Sequence, residues 1–352
     1  MNKRSPRLIL VYEPEQACLH RLLQQGFDEV HAQEIASYLA QSTDIEPELP
    51  ALAQACAARG IGFESVELDR AAAVLAEADP ASTLVWTLTD GIAYFRGGTA
   101  PALARLAGLP SFGSDDSLFS LCQDKFRSGA VLRALGLPVP AAGLARNGQW
   151  IAHPVLSLHG WFAKPNRLGA KVGIWPDSHC PSLMQARGLS RRIHDAYRDD
   201  TVVQPYVSGR NARASFLAVD PASGIEAIGV YWVDSGGDFQ TMADSLALYG
   251  DTGAAARARG EGANPVLEPV GLSQPGVDAA IRALAGRLME ALGLRDVFSL
   301  DLRVDPDGSI HLIEFEVCPG LPCFDFRAYC RDRWGMDLAE AMAEAASRRL
   351  RG

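Results

Sequence analysis

Two apolar segments near the end of the chain, joined by a short turn, constrain its fold more than any other feature. Residues 297–304 and 310–317 read as strands, and Asp305-Pro-Asp-Gly308 lies between them. Proline presets one backbone angle of a turn, and glycine tolerates a positive one. The pattern therefore predicts a β-hairpin.

The predicted hairpin carries three carboxylates. Asp301 lies on its first strand, and Glu314 and Glu316 lie on its second, pointing to one face because strand side chains alternate with a period of two. Carboxylates in so apolar a strand are costly unless a cation or hydrogen bonds compensate them. Oxygen-rich clusters suit Mg²⁺, which is normally shared with substrate phosphates. A metal site at these residues is the favoured interpretation, and a solvated strand face is the alternative.

A lysine followed by a glycine-containing loop forms the second candidate site. The segment Lys164-Pro-Asn-Arg-Leu-Gly169-Ala-Lys171-Val-Gly173 follows an apolar strand end. Backbone N–H groups and lysines of such a loop can neutralise phosphate charge. The spacing is that of neither a P-loop nor a dinucleotide-binding motif. An ordinary surface loop is the alternative.

Two weaker signals flank this loop. Residues 201–211 read as a strand that leads into a turn, which could present backbone groups at Gln204, Tyr206 and Val207 to a purine edge while Asn211 faces a sugar. Lys125 opens the helix that leads to the Gly-Leu-Pro turn at residues 136–138. A lone helical lysine is more often solvated than a ligand.

The order of apolar segments divides the chain into parts. The first third alternates strand-like and helix-like patterns, which predicts a parallel sheet covered by helices. The next section reads as a long helix over 115–135 ended by glycine and prolines. The predicted divisions are an N-terminal α/β domain (1–114), a linking helix and turn (115–140), a small α+β unit (141–208) and a C-terminal unit with the metal site (209–352).

Composition excludes several classes of protein. With 352 residues, 48% of them hydrophobic, the chain is not a disordered tail or a mini-scaffold. A net charge of −9, with both signs interleaved, disfavours a nucleic-acid partner, although a few lysines with Mg²⁺ can still create a cleft for ATP. The absence of a long apolar segment predicts a cytoplasmic protein with no membrane partner.

The pattern of cysteines also favours a cytoplasmic protein. Seven cysteines without a C-x-x-C pair predict reduced, structural thiols. The cluster of Cys318, Cys323 and Cys330 could in principle bind a metal or form a disulfide, but zinc sites usually show tighter pairs.

In chain order these segments resemble the ATP-grasp superfamily, and within it the D-alanyl-D-alanine ligase-like carboxylate–amine ligases. The resemblance covers roughly Pro110 to the C-terminus. Five loose motifs in the expected order carry it: D-K followed by G-L-P-V-P, K-P-N-x-x-G-x-K-x-G, V-V-Q-P-Y-V-S-G-R, D-L-R-V-D-x-D-G and I-E-F-E-V-C-P-G-L-P. It implies an ATP-grasp fold of α/β and α+β parts, preceded by a parallel α/β domain.

The resemblance also implies roles for individual residues. ATP and Mg²⁺, or Mn²⁺, would be the cofactors. Lys125 and Lys164 would contact the phosphates, and the loop from Gly169 to Gly173 would be a mobile cover over them. The remaining positions would be the adenine hinge at Gln204, Tyr206 and Val207, the ribose contact at Asn211, and the metal ligands Asp301, Glu314 and Glu316.

Several positions depart from the pattern of these ligases. Ala170 and Lys171 stand where two serines are usual, Asn211 replaces an acid, and Glu316 replaces an asparagine. The arginine expected two residues before Asp301 is Ser299. We therefore expect Arg303, two residues after Asp301 on the same strand face, to contact an oxyanion or carboxylate, and Lys171 to act with it in catalysis.

Departures at the substrate end argue against simple D-alanyl-D-alanine synthesis. The acidic signature near the N-terminus is not visible, and Thr89-Asp90-Gly91 replaces a His-Gly pair. Asp325 or Arg327 is the candidate contact for a different acceptor.

The implied activity is ATP-dependent formation of an amide bond, between amino acids or peptides, through an acyl phosphate. Its partners would be a small-molecule carboxylate and an amine, and a homodimer is compatible with the family likeness. Two alternatives stay open. One is a ligase joining an amino acid to a non-amino-acid carboxylate or an enol-type carbon, and the other is a non-catalytic nucleotide-binding protein.

Overall fold

The computed structural model describes residues 5–42, 45–89, 98–233, 238–242, 267–321 and 324–351. Three sheets organise this part of the chain, one parallel and two antiparallel. This mixture confirms the predicted combination of α/β and α+β parts.

The N-terminal sheet is parallel, with strand order β2-β1-β3-β4. Its strands are β1 (Arg7–Tyr12), β2 (Gly62–Glu67), β3 (Thr83–Leu88) and β4 (Ser111–Phe112). The helices of this unit are α1 (Glu15–Gln24), α2 (Glu29–Ser42), α3 (Leu49–Ala58), which follows a 3₁₀ turn (Glu46–Glu48), α4 (Leu68–Ala76) and α5 (Thr99–Leu106).

Strand β1 is buried on both faces. Ile9 and Val11 pack in one hydrophobic cluster with residues of α4 and α5, whereas Leu8 and Leu10 pack in another with residues of α3. The last helix, α12 (Leu338–Arg351), joins this second cluster. A parallel sheet requires cover on both sides, so the end of the chain completes the N-terminal unit.

The single helix predicted over 115–135 is wrong. Two helices occupy this stretch, α6 (Asp116–Cys122) and α7 (Lys125–Ala134). Asp124 ends the first and caps the second, because its Oδ1 accepts a hydrogen bond from the Arg127 amide at 2.9 Å. The break places Lys125 at the N-terminus of α7.

The central sheet is antiparallel, with order β6-β5-β9-β7-β8. Helix α8 (Leu183–Tyr197) begins at a capping box formed by Ser182 and Gln185 and packs on Trp161, Ala163 and Val203. The other elements are β5 (Gly143–Arg146), β6 (Gln149–Ala152), β7 (Trp161–Pro165), a 3₁₀ turn (Pro176–Ser178), β8 (His179–Cys180) and β9 (Thr201–Pro205).

The C-terminal sheet has the order β12-β11-β10-β13-β14 and is antiparallel throughout. Its strands are β10 (Arg210–Leu217), β11 (Gly229–Val233), β12 (Leu267–Pro269), β13 (Val297–Val304) and β14 (Ile310–Glu316). The elements around them are a 3₁₀ segment (Pro221–Ala227), α9 (Val270–Ser273), α10 (Pro275–Leu292) and α11 (Phe324–Trp334). Strand β10, which the sequence analysis did not predict, lies at the centre of this sheet.

All six cysteines in the described ranges are free thiols, five of them buried. Cys323 lies outside those ranges. No helix in the described part of the chain is long and apolar enough to cross a bilayer.

Candidate nucleotide and metal site

The predicted hairpin of β13 and β14 contains a β-bulge. Asp301 is opposite Glu314, but the next residue, Leu302, is opposite Leu312, so β14 has one extra residue. The bulge lets Leu312 face the core beside Leu302 while Glu314 stays on the face of Asp301. Ser299 is paired with Glu316 on that same face, which we call the polar face of the C-terminal sheet.

Lys125 joins this face to two other parts of the chain. Its Nζ lies 3.2 Å from Glu314 Oε2 and donates a hydrogen bond to the carbonyl oxygen of Leu168 at 2.7 Å. Its side chain is only 9% exposed. One predicted phosphate ligand thus connects the start of α7, the glycine-containing loop and strand β14.

Lys164, at the end of β7, belongs to the same charge cluster. Burial and the charge of Lys125 lower the pKa of Lys164, against the opposing effect of Glu314 and Asp301. Burial would also lower the pKa of Lys125, but Glu314 outweighs it and the pKa is raised. Burial alone would raise the pKa of Glu314, yet the two lysines hold it at about 2. The Glu314 carboxylate and the Lys125 ammonium group therefore stabilise each other, whereas burial and the charge of Lys125 disfavour the charged form of Lys164.

Arg213 on β10 lies among the other acidic side chains, and the sequence analysis missed it. Its Nη1 is 3.5 Å from Asp301 Oδ1, its Nη2 is 3.6 Å from Glu316 Oε2, and Nη2 donates to Ser299 Oγ at 3.2 Å. Arg213 is directly opposite Asp301 in the sheet. It follows Asn211 by two residues, so strand alternation from the predicted ribose contact is the signal that could have found it.

The donor set of the polar face fits a divalent cation. Asp301, Glu314 and Glu316 offer anionic oxygens beside lysines that suit phosphate, which is the environment Mg²⁺ takes in phosphoryl-transfer sites. In the structure these carboxylates are held by Lys125 and Arg213. Within the described ranges, no three His, Cys, Asp or Glu side chains are grouped closely enough to hold a metal ion. The metal ligands therefore stay a prediction.

The glycine-containing loop is packed against the N-terminal unit. Leu168 and Val172 are buried in a cluster with Leu22 of α1 and Ile35 of α2. The loop turns tightly, with the Val172 amide donating to the Gly169 carbonyl at 2.9 Å. Ala170 and Lys171, at the turn, both have positive φ, 38° and 68°. The predicted motion of this loop and the catalytic role of Lys171 stay predictions.

The predicted adenine hinge follows β9. Gln204 is buried, and the Tyr206 amide donates to the Gly160 carbonyl at 3.0 Å. The Tyr206 ring stacks on His179 with centroids 3.9 Å apart. The hinge is thus fixed to the central sheet by its backbone and by ring stacking.

Arg303 fixes the other end of this hinge. Its Nε donates to the Val207 carbonyl at 3.1 Å, and its Nη1 donates to Asn211 Oδ1 at 3.0 Å and to the Asp238 carbonyl at 2.5 Å. The side chain is buried. These donors are directed toward the predicted adenosine contacts, so Arg303 is placed to position the hinge. Its predicted contact with an oxyanion or carboxylate is not tested by this geometry.

Asp199, another residue that the sequence analysis missed, binds the backbone of the segment that leads into the glycine-containing loop. It is buried, and its carboxylate accepts hydrogen bonds from the amides of Arg167 at 2.7 Å and Asp200 at 2.9 Å. Burial raises the pKa of Asp199 to about 6, although those hydrogen bonds and the charge of Arg167 oppose the shift. No local motif in the sequence marks this role.

The substrate end is described in part. Arg327 forms an ion pair with Glu48 of the N-terminal unit, 2.6 Å between Nη2 and Oε1. Glu13, just beyond β1, is a buried carboxylate paired with Arg21. Asp90, Gly91 and the side chain of Asp325 lie outside the described part of the chain.

Comparison with curated proteins agrees with the resemblance to D-alanine–D-alanine ligases. No family model matches the chain. A D-alanine–D-alanine ligase of Stutzerimonas stutzeri is 25% identical over 233 residues, which cover 64% of this chain and 64% of the relative. The alignments span about two thirds of the length of the curated relatives they match.

Solved structures match over nearly the whole chain. A D-alanyl-alanine synthetase A of Vibrio cholerae gives a TM-score of 0.63 at 15% identity and covers 99% of both chains. A D-alanine–D-alanine ligase of Bacillus anthracis, solved with ATP, gives a TM-score of 0.58 at 13% identity with the same coverage. Together the comparisons confirm the ATP-grasp fold and the resemblance to D-alanine–D-alanine ligases.

Proposed function

We propose that this chain, with the ATP-grasp fold and sequence relatives among D-alanine–D-alanine ligases, is an ATP-dependent carboxylate–amine ligase. The reaction forms an amide bond and releases ADP and phosphate. Its substrates are small molecules, an amino acid or peptide carboxylate and an amine.

The observation that carries the proposal is the meeting of two lysines with the acidic strands. Lys125 and Lys164 come from α7 and β7, whereas Glu314 and Asp301 come from the C-terminal sheet. Against the effect of burial, their charges raise the pKa of Lys125 and lower that of Glu314. Burial lowers the pKa of Lys164, although Glu314 and Asp301 oppose that shift. Buried cations beside carboxylates suit a nucleotide phosphate that arrives with a divalent cation.

The chemistry follows from the weak electrophilicity of a carboxylate. An oxygen of the acid substrate attacks the γ-phosphorus of ATP, the bond to the β-phosphate oxygen breaks, and an acyl phosphate and ADP result. The amine nitrogen then attacks the acyl carbon, phosphate leaves, and the nitrogen loses a proton to phosphate or water. Lys125 and Lys164 stabilise charge on the transferring group.

Mg²⁺, held by Asp301, Glu314 and Glu316, would neutralise further phosphate charge when bound. The chain's own residues provide the rest of the geometry. Arg303 orients the adenosine hinge through Val207 and Asn211. Asp199 and Lys125 hold the segment that leads into the glycine-containing loop, through the Arg167 amide and the Leu168 carbonyl oxygen.

Several finer statements belong to the same proposal. Lys171 contacts the transferring phosphoryl group from the turn of its loop. The protein is a cytoplasmic homodimer, which light scattering after size-exclusion chromatography tests. The acid and amine differ from a pair of D-alanines, because Ser299 replaces an arginine and Thr89-Asp90-Gly91 replaces a His-Gly pair.

The proposal is tested by incubating the protein with ATP, Mg²⁺ and a panel of acids and amines while ADP and phosphate are measured. We expect ADP only with a matched pair, and its loss in Glu314→Ala and Asp301→Asn. If no amino acid gives product but another carboxylic acid yields ADP and product, the result would favour the ligase for non-amino-acid carboxylates. No ADP from any pair, with nucleotide binding retained, would instead indicate a non-catalytic binding protein.

A further inference from the structure

The polar face of the C-terminal sheet holds a third cation besides the two predicted phosphate lysines. Arg213 extends from β10 between Asp301 on β13 and Glu316 on β14. Both of these acids are predicted metal ligands. A guanidinium group and a divalent cation would therefore compete for the same carboxylates.

Each carboxylate of the face lies beside a cationic side chain without any ligand. Glu314 is paired with Lys125, and Asp301 and Glu316 share Arg213. A carboxylate cluster without such partners would carry a large repulsion and desolvation cost. The arginine thus stabilises the protein when no metal is bound.

The contacts of Arg213 with these acids are loose. The nitrogen–oxygen distances of 3.5 and 3.6 Å exceed the 2.7–2.9 Å typical of strong charge-assisted hydrogen bonds. The shorter contact, 3.2 Å, is with the neutral hydroxyl of Ser299. The Arg213 side chain is 22% exposed, so solvent reaches part of it.

We propose that Arg213 is an exchangeable counter-ion of the metal site, which a divalent cation displaces from Asp301 and Glu316. The inference rests on the proposed function, since it takes these acids as metal ligands. It predicts that the nucleotide-free protein binds divalent cations weakly, because each ion must first displace the guanidinium. The opposite role, in which Arg213 holds the acids ready for a metal, predicts stronger binding when Arg213 is present.

The experiment measures Mn²⁺ binding to the nucleotide-free protein by the electron paramagnetic resonance of free Mn²⁺. We expect Arg213→Gln to bind Mn²⁺ about tenfold more tightly than the wild type, as expected when two partly exposed ion pairs no longer compete. Arg213→Lys keeps the charge and should stay near the wild type. The matched control is Arg210→Gln, which removes an exposed arginine of the same strand that pairs with Glu268.

Equal or weaker Mn²⁺ binding by Arg213→Gln would overturn the proposal. Adding Asp301→Asn to Arg213→Gln should remove the gain, and a gain that persists would overturn it as well. Should Arg213→Gln fail to fold, ¹⁵N-arginine NMR of the wild type replaces it. The Nε–H signal of Arg213 is identified as the one that is absent from Arg213→Lys. We expect Mg²⁺ to shift this signal in the wild type, and an unmoved signal would contradict displacement.

These readouts involve neither ATP nor turnover. A failure of the ligase assay with every substrate pair would therefore leave the Mn²⁺ result intact. Conversely, an active ligase with unchanged Mn²⁺ affinity in Arg213→Gln would refute the counter-ion role alone.

Discussion

Lys125 at the N-terminus of α7 and Glu314 on β14 form an ion pair with 3.2 Å between Nζ and Oε2. The pair connects α7 to the second strand of the acidic hairpin in the C-terminal sheet. Each charge is largely withdrawn from solvent, so each depends on the other.

Glu314→Gln should lower ATP-dependent ADP formation by about 100-fold or more, because the carboxylate that would hold the divalent cation and that pairs with Lys125 is lost. It should also destabilise the fold by about 2 kcal/mol, since Lys125 loses its partner. Steady-state kinetics and urea unfolding measure both effects. Glu268→Gln, at an exposed site on β12, is the control, and equal activity in the two variants would contradict the prediction.

Arg303→Met should raise the KM for ATP by about tenfold while kcat changes little. The loss of three hydrogen bonds to Val207, Asn211 and Asp238 leaves the hinge less well positioned. Kinetics at varied ATP and varied acid substrate separate this role from direct catalysis. A large fall in kcat with an unchanged KM for ATP would instead support the predicted oxyanion contact.

Asp199→Asn should change how stability depends on pH. The folded-state pKa of about 6 lies above the ordinary value of 3.8, so the native state keeps a proton that the unfolded state loses in this window. The free energy of unfolding of the wild type therefore falls as pH rises from about 4 to 6. The variant should lack this loss, which amounts to about 3 kcal/mol.

Urea unfolding at pH 4 and pH 7 checks the Asp199 prediction. Exposed Asp195 on α8 gives the control Asp195→Asn, which should keep the wild-type dependence on pH. Parallel curves for the wild type and Asp199→Asn would show that the carboxyl group titrates normally.

Gly209→Ala should destabilise the protein by about 3 kcal/mol. Gly209 precedes β10 with φ of 127°, and an added Cβ would lie 2.0 Å from the Val304 carbonyl oxygen. Gly188→Ala in helix α8 is the matched control, because a Cβ there meets no atom within 4 Å and should stabilise by up to about 1 kcal/mol. Thermal unfolding of both variants decides the matter, and similar midpoints would refute the close approach at Gly209.

Local sequence patterns predicted the bounds of an element where turn residues such as proline and glycine mark its end. The hairpin strand Val297–Val304 has the predicted bounds. Strand β10 was missed because its first half, Arg-Asn-Ala-Arg, is polar on one face. The sequence analysis did not predict the break between α6 and α7, because part of what holds the start of α7 is distant in the chain: the Phe126 amide donates to Asn166 Oδ1, 40 residues away.

Alternation along β14 is enough to predict that Glu314 and Glu316 share one face of their strand. Periodicity along one segment is a local property, so it can be read without the fold. The fold is what places Arg213, rather than solvent, beside Asp301 and Glu316, and what turns Arg303 toward the hinge. Pairing between strands and packing between units join residues far apart in the chain, and no local pattern encodes which partner each charge will meet.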